Sequence, residues 1–417
     1  MWDPVSQFQK KVLPNGLSIY FAFIPNCEIQ STKFVVHSGS MRDSLGFLGT
    51  AHFLEHMVSN EIDTEMLDNF FDEDGGDCNL GVTNRVETKY SFTARTTSFK
   101  TLFQMFTNML LARRSFSSGI EKERDVIQRE FQRRFRFKEE YMLEERETKA
   151  LYEESHILSY LYSTLGTPET IAAISDDVLC KFHQMYYVPS NMSIITIGGI
   201  PKEELFRNIQ DSLFGETQKW NSLYYEPIPN IDIVRMPNPN KEILKVSDFA
   251  SFTLNSMSFS STAVIPSFVD MFAVLMFKRA LQRRLFKEVR EKRSWTYSIQ
   301  CTAERLHCAY EFIIKSKDLS LDAEDKIIPL INQCIGEIKD DELGFKKIQR
   351  GFVNEHKFID LNIVDTRDSA VARIFDHGRI LNAEKIIEKI NSVNFNQIQE
   401  VCDMMQEKFQ YYKIILP

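Results

Sequence analysis

The sequence predicts an α+β protein made of two similar units in tandem, and three observations carry that prediction. An order of strands, helix, strand, helices and closing strand runs through the first half and begins again after residue 240. Between the two runs the texture changes. Pro227, Pro229, Pro237 and Pro239 fall within "ETQKWNSLYYEPIPNIDIVRMPNPN", and proline removes backbone donors and fixes extended geometry, as a linker needs. Finally, 417 residues with 43% hydrophobic and 26% charged side chains make a globular chain too long for one ordinary core. The division expected is a first domain over 1–215, a linker over 216–240 and a structurally similar second domain over 241–417.

The elements follow from local pattern. "LSIYFAFIP", after the turn-forming "PNG" at 14–16, reads as a strand, and "STKFVVHSGS" as the next. "FLGTAHFLEHMV" is too long and too evenly apolar for a half-buried strand and reads as a helix. "GGDCNLGVTNRVETKYSFTA", residues 75–94, reads as a turn and then a strand. "SFKTLFQMFTNMLLARRSF" repeats apolar residues at three- and four-residue spacing, the mark of an amphipathic helix. The charged run "GIEKERDVIQREFQRRFRFKEEYMLEERETKALYEE" reads as a long helix or helix pair, and "NMSIITIGGI" as the strand that closes the half near Gly215. The second half predicts strands near 243–264 and a helix through "VDMFAVLMFKRALQRRLFKEVREKRS". Strands from Trp295 to Lys315, two long helices and a last strand in "FQYYKIILP" complete it. The halves share an order of elements but almost no residues, which reads as an old duplication.

Composition narrows the partners. A net charge of −8 argues against nucleic acid, which calls for a basic face. No run of about 18 apolar residues occurs, so no membrane-spanning helix is expected. The first residues lack an apolar stretch with a small-residue cleavage site, so no leader is expected. Seven cysteines, with no C-x-x-C pair, read as free thiols in a reducing compartment, and the expected location is cytoplasmic.

The chemistry concentrates in "GTAHFLEHMVSNE". His52, Glu55 and His56 spell H-x-x-E-H, the order of the inverzincin zinc enzymes. With eight histidines in the chain, about 0.02 such matches arise by chance. Histidines four apart share a helix face and can reach one ion, though such a pair is often only a solvated edge. Glu55 sits beside that face, placed to act on a water. Zinc wants a third protein ligand, and "EKERDVIQRE" offers Glu123 and Glu130, seven apart on one helix face. By residue counts alone a solvated, charge-rich face is the better account of that helix.

Several stretches together resemble the pitrilysin, insulysin and mitochondrial processing peptidase family of zinc metallopeptidases: "LPNGLSIYF", "HSGSMRD", "GTAHFLEHM", "GGDCNLGVT", "ERDVIQRE", "LGTPETI", "YYVPSNMSIITIGGI" and "LFKEVREKRSWTYS". The resemblance runs over most of the chain. It implies two homologous α/β-sandwich-like domains, mostly antiparallel sheets with helices on one face, forming one half of a clamshell as in single-half-length bacterial-type members. It also implies one Zn2+ per chain, held by His52, His56 and Glu130. Glu55 is then the general base, Glu123 a supporting acid, and Arg290 and Tyr297 hold substrate and oxyanion. Asn79, Leu80, Gly81, Val82 and Thr83 form an edge strand that pairs with peptide substrate. By charge pattern alone, Arg290 belongs to a solvated helix end and Tyr297 is an ordinary strand aromatic.

This chain departs from the family pattern twice. It has one more residue between Asn79 and Thr83, with Leu80 where alanine is usual, which predicts a bulge. Ser294-Trp295 replaces the glycine-leucine expected before the tyrosine. The function implied is a zinc-dependent endopeptidase working in a closed chamber, as a homodimer. The alternatives are the active or substrate-presenting subunit of a heterodimeric processing peptidase, and a non-catalytic scaffold. Other features read as structural: His37 within a strand, His307 near Cys301 and Cys308, and the Arg133, Arg134, Arg136 cluster interleaved with phenylalanines.

Overall fold

The computed structural model describes residues 4–135, 163–215, 243–245, 256–266, 268–305, 309–355, 362–378, 380–408 and 410–415. The linker expected over 216–240 lies outside them, as do Arg136, His307 and Cys308. The chain forms two compact units, and each is built on one sheet. No described helix is long and apolar enough to cross a membrane. Six described cysteines are all free thiols.

In the first unit β1 (Gln9–Val12), β2 (Ser18–Phe23), β3 (Ile29–Val36), β4 (Asp77–Thr83), β5 (Thr88–Arg95) and β6 (Met192–Gly198) form one sheet, ordered β1-β2-β6-β3-β5-β4. β2 and β6 run parallel; the other pairs are antiparallel. The two-residue period of the strands sorts their side chains. Phe34 and Val36 of β3, with Tyr90 and Phe92 of β5, join a phenylalanine-rich core beneath the helices. Those helices are α1 (Thr50–Ser59), α2 (Thr64–Asp74), α3 (Phe99–Leu111), α4 (Ile120–Arg134), α5 (Pro168–Ala173), α6 (Asp176–Tyr186) and α7 (Lys202–Gln210). Phe34 anchors the layer, stacking on Phe106 at 5.8 Å and on Phe214 at 6.1 Å between centroids.

The second unit holds β7 (Ile243–Lys245), β8 (Ser256–Pro266), β9 (Gln300–Arg305), β10 (Ala309–Ser320) and β11 (Gln410–Ile415), ordered β7-β11-β8-β10-β9. Its helices include α8 (Met271–Leu285), α9 (Ile327–Lys339) and α10 (Glu342–Glu355). β7 and β11 are parallel and the rest antiparallel. This is the first sheet again, with β2, β6, β3, β5 and β4 answered by β7, β11, β8, β10 and β9. α1 and α8 occupy the same place in the two chain orders. The repeat read from the element order is therefore a repeat of topology.

Several local expectations change. Residues 75–94 hold two strands and not one, because Asn84 turns the chain: its Oδ1 accepts from Val86 N and Glu87 N, both at 2.8 Å. β1 was not expected, since "QKKV" is exposed throughout. Among the described residues after 320, five helices stand where two were expected. One of them, Ile363–His377, belongs to the first unit, although the expected division gave all of 241–417 to the second domain. Its Ala370 and Val371 are buried with Val5, Tyr20, Val35 and Ile195 on the sheet face opposite the main core. That face would otherwise expose apolar strand residues to water.

Candidate metal centre

The centre begins with the way α1 is started. Gly49 takes φ 94°, and a Cβ there would stand 2.6 Å from the Leu165 carbonyl oxygen, so the turn into the helix requires glycine. The buried Asp43 carboxylate accepts from Gly49 N at 2.7 Å and Ala51 N at 2.9 Å, satisfying two amide donors where the helix starts. Burial pushes the Asp43 carboxyl up to about 8 despite those bonds.

Four-residue spacing on α1 brings His52 Nε2 and His56 Nε2 to 3.2 Å. Glu130 of α4 reaches them, its Oε2 3.6 Å from His52 Nε2 and 3.7 Å from His56 Nε2. Tetrahedral zinc holds such donors at about 2.0–2.2 Å, which puts neighbours roughly 3.3–3.6 Å apart. The observed triangle matches one ion of that size. The donor chemistry agrees. His56 Nδ1 lies 2.8 Å from Glu123 Oε1, an acceptor, and the tautomer with its proton on Nδ1 satisfies that contact while turning the Nε2 lone pair to the other two donors. Burial, helped by His56 and Arg134, lowers His52 to about 3, which keeps that ring neutral. Bare nitrogen and carboxylate oxygen thus converge on one point, an arrangement a cation satisfies.

The supports are unequal. Glu123 is held from behind by Asn60, whose Nδ2 donates to Oε2 at 2.7 Å. His52 Nδ1 is buried with no hydrogen-bond partner among the described residues. Glu55, on the adjoining face of α1, points toward β4, where its Oε2 accepts the Thr83 hydroxyl at 2.6 Å. Burial raises the Glu55 carboxyl above its ordinary range, opposed by the Thr83 bonds and by His56. The Ser59 hydroxyl lies 2.7 Å from the Glu55 carbonyl and 2.5 Å from that of Leu80, tying α1 to β4.

β4 is the sheet's edge, and the bulge expected from its extra residue is present. Asn79 faces Ser91 and Val82 faces Lys89, so β4 spends three steps where β5 spends two. The five residues from Asn79 to Thr83 therefore do not present one surface. Asn79 and Val82 line a cavity with Lys33 and Arg367, whereas Leu80 packs on the helical core and Thr83 touches Glu55.

Arg290 and Tyr297 lie in the second unit. Arg290 belongs to a π-helical turn, Phe286–Glu291, and its guanidinium stands 4.4 Å from the Tyr297 ring centroid and 4.8 Å from that of Phe286. Tyr297 is 74% exposed. Ser294, where the family pattern has glycine, adopts φ 51°, a conformation that costs a side-chain-bearing residue roughly 1 kcal/mol. His37 bonds Ser193 Oγ at 2.8 Å, consistent with a structural role. The sequence reading missed Asp43, Ser59 and Asn60. Asn60 alone left a signal, four residues beyond His56 and so on the same helix face.

Comparison with known proteins agrees with this architecture. Residues 25–164 match the family model "Insulinase (Peptidase family M16)", and residues 173–351 match "Peptidase M16 inactive domain". The chain is 22% identical to the uncharacterized zinc protease YmxG of Bacillus subtilis over 396 residues, 92% of each chain. A protease from Helicobacter pylori has the same fold, with TM-score 0.81 at 16% identity over all of both chains. So does the first half of the periplasmic protease PqqL from Escherichia coli, with TM-score 0.71 at 15% identity over 99% of this chain and 93% of that one. These sequence matches and the doubled sheet define a half-length peptidase-type fold. The chain belongs to the insulinase family, peptidase family M16.

Proposed function

We propose that this chain is a zinc-dependent endopeptidase that hydrolyses extended peptides or unstructured segments. The observation that carries the reading is the convergence of His52, His56 and Glu130 within 4.8 Å, with Glu55 one residue away on the same helix. His52, His56 and Glu130 would hold the metal. Zinc bound there supplies a Lewis acid that polarises a scissile carbonyl and makes water a better nucleophile. Glu123 fixes the His56 tautomer and ring orientation. Glu55 takes the proton of the attacking water and passes it to the leaving amine, a role its raised proton affinity favours. The β4 edge would pair with the backbone of an extended substrate, so cleavage should require an unfolded chain.

Arg290 and Tyr297 complete the reading as donors to substrate carbonyl and developing oxyanion. PqqL carries a half like this one within a longer chain. A second copy of this chain is the partner we assign, giving a homodimer with a two-fold axis that encloses the substrate. The compartment proposed is the cytoplasm, on the free cysteines; cell fractionation tests it, because the PqqL relative is periplasmic.

The test of the activity is digestion of a peptide library followed by mass spectrometry, with and without chelator, for the native chain and Glu55→Gln. Chelator-sensitive internal cleavage that Glu55→Gln lacks is the expected result. Cleavage of equal extent by both proteins would overturn the reading.

A further inference from the structure

The bulge in β4 leaves one residue unexplained by strand pairing. Gly81 does not adopt a positive φ, so its backbone suits any residue. What forbids a side chain there is its neighbour. A Cβ built on Gly81 would stand 2.6 Å from Glu55 Cδ, and closer still to Glu55 Cγ and Oε1, and these are its three nearest atoms. The Glu55 carboxylate thus occupies the space a side chain at position 81 would fill. The bulge supplies this arrangement. Leu80 and Gly81 lie between the paired residues Asn79 and Val82, and Asn79 Oδ1 holds the loop by accepting from Gly81 N at 3.1 Å. Two residues further on, Thr83 takes Oε2 of the same carboxylate.

We infer that Gly81 is a positioning residue for Glu55: its missing side chain, presented by the bulge, is what lets the carboxylate lie flat on the edge strand between Gly81 and Thr83. This rests on the proposed role of Glu55 as base. The steric argument separates position from fold. Overlap with a backbone would deform the strand, but the end of a glutamate side chain yields by rotation. A methyl group at position 81 therefore displaces the base and spares the fold.

A double-mutant cycle tests the inference on the full chain, with any peptide that the native protein cleaves in a chelator-sensitive way. Native, Gly81→Ala, Glu55→Gln and the double variant are compared for kcat, KM, bound zinc and thermal midpoint. Gly81→Ala is expected to lower kcat at least tenfold in the native background and less than twofold in the Glu55→Gln background. Zinc content, KM and midpoint should hold. A structural role for Gly81 would lower kcat by the same factor in both backgrounds, and that result overturns the inference. So does a Gly81→Ala chain that fails to fold, since the strand and not the base would then need the glycine. Thr83→Val, run through the same cycle, should show the same non-additivity, and additive losses there would remove the clamp on Glu55. If Glu55→Gln itself keeps native turnover, the peptidase mechanism fails before Gly81 is judged.

Discussion

The two units place a helix against an edge strand in the same way and fill the junction with different chemistry. In the second unit α8 meets the approach to β9 through Gln282, whose Nε2 donates to the Ile299 carbonyl at 2.9 Å and whose Oε1 accepts from Cys301 N at 2.6 Å. Every polar atom of that side chain has a partner, and none is charged. In the first unit α1 meets β4 through Glu55, a buried carboxylate, with His52 and His56 on the adjoining face. A fold that can be closed by one satisfied amide instead carries a buried carboxylate, converging lone pairs and an orphaned nitrogen. Such groups cost stability unless something binds them. The difference teaches that the scaffold does not require the charges, so they mark function.

Swapping the two kinds of junction sharpens the contrast, and the largest effect belongs to Glu55→Gln. It keeps the shape and removes the basicity, so turnover should fall by about a hundredfold or more, while stability is unchanged or raised because a buried charge is gone. Steady-state kinetics beside thermal melts would read both. Near-native turnover would take Glu55 out of the mechanism.

The second unit's contribution is tested by mixing. Glu55→Gln and Tyr297→Phe are each expected to be weak alone. If the site is shared across a dimer, subunit exchange should restore about a quarter of native activity, since half the dimers are mixed and each has one intact site. A mixture that exchanges subunits, shown by mass spectrometry, and stays inactive would mean that Tyr297 does not serve a partner's centre.

Smaller effects follow. Glu123→Gln should weaken zinc about 10–100-fold by unfixing the His56 tautomer, measured by competition with a chelating dye. An unchanged affinity would leave Glu123 as helix surface only. Smallest for function is Gln282→Glu, which aims a carboxylate at the Ile299 carbonyl. It should cost about 1–3 kcal/mol in urea titration and leave turnover per folded molecule untouched.

What the sequence made legible follows from how local the signal is. His52 and His56 were visible because a helix turns residues four apart to one side, a rule that needs no tertiary knowledge, and Glu55 because it completes the H-x-x-E-H order. The bulge was visible as one surplus residue between Asn79 and Thr83. Ser294 showed as a departure from glycine, and it does sit at φ 51°. The hairpin at 75–94 was hidden because its turn, "NRVE", has no glycine or proline and depends on the Asn84 side chain. The Ile363–His377 helix gave no sign that it serves the first sheet, because its partners Val5, Tyr20, Val35 and Ile195 lie far off in sequence. Asp43 and Ser59 were illegible for a related reason: a polar residue's role depends on what packing brings to it.

The central claim is that the first unit's junction holds the metal and the second unit's does not. Zinc content of the purified chain, measured by inductively coupled plasma mass spectrometry, tests it most directly. The native protein and Gln282→Glu should each carry about one zinc per chain, and His52→Ala and Glu130→Ala should carry almost none. Full zinc occupancy in a His52→Ala, His56→Ala double variant would contradict the account and place the metal elsewhere.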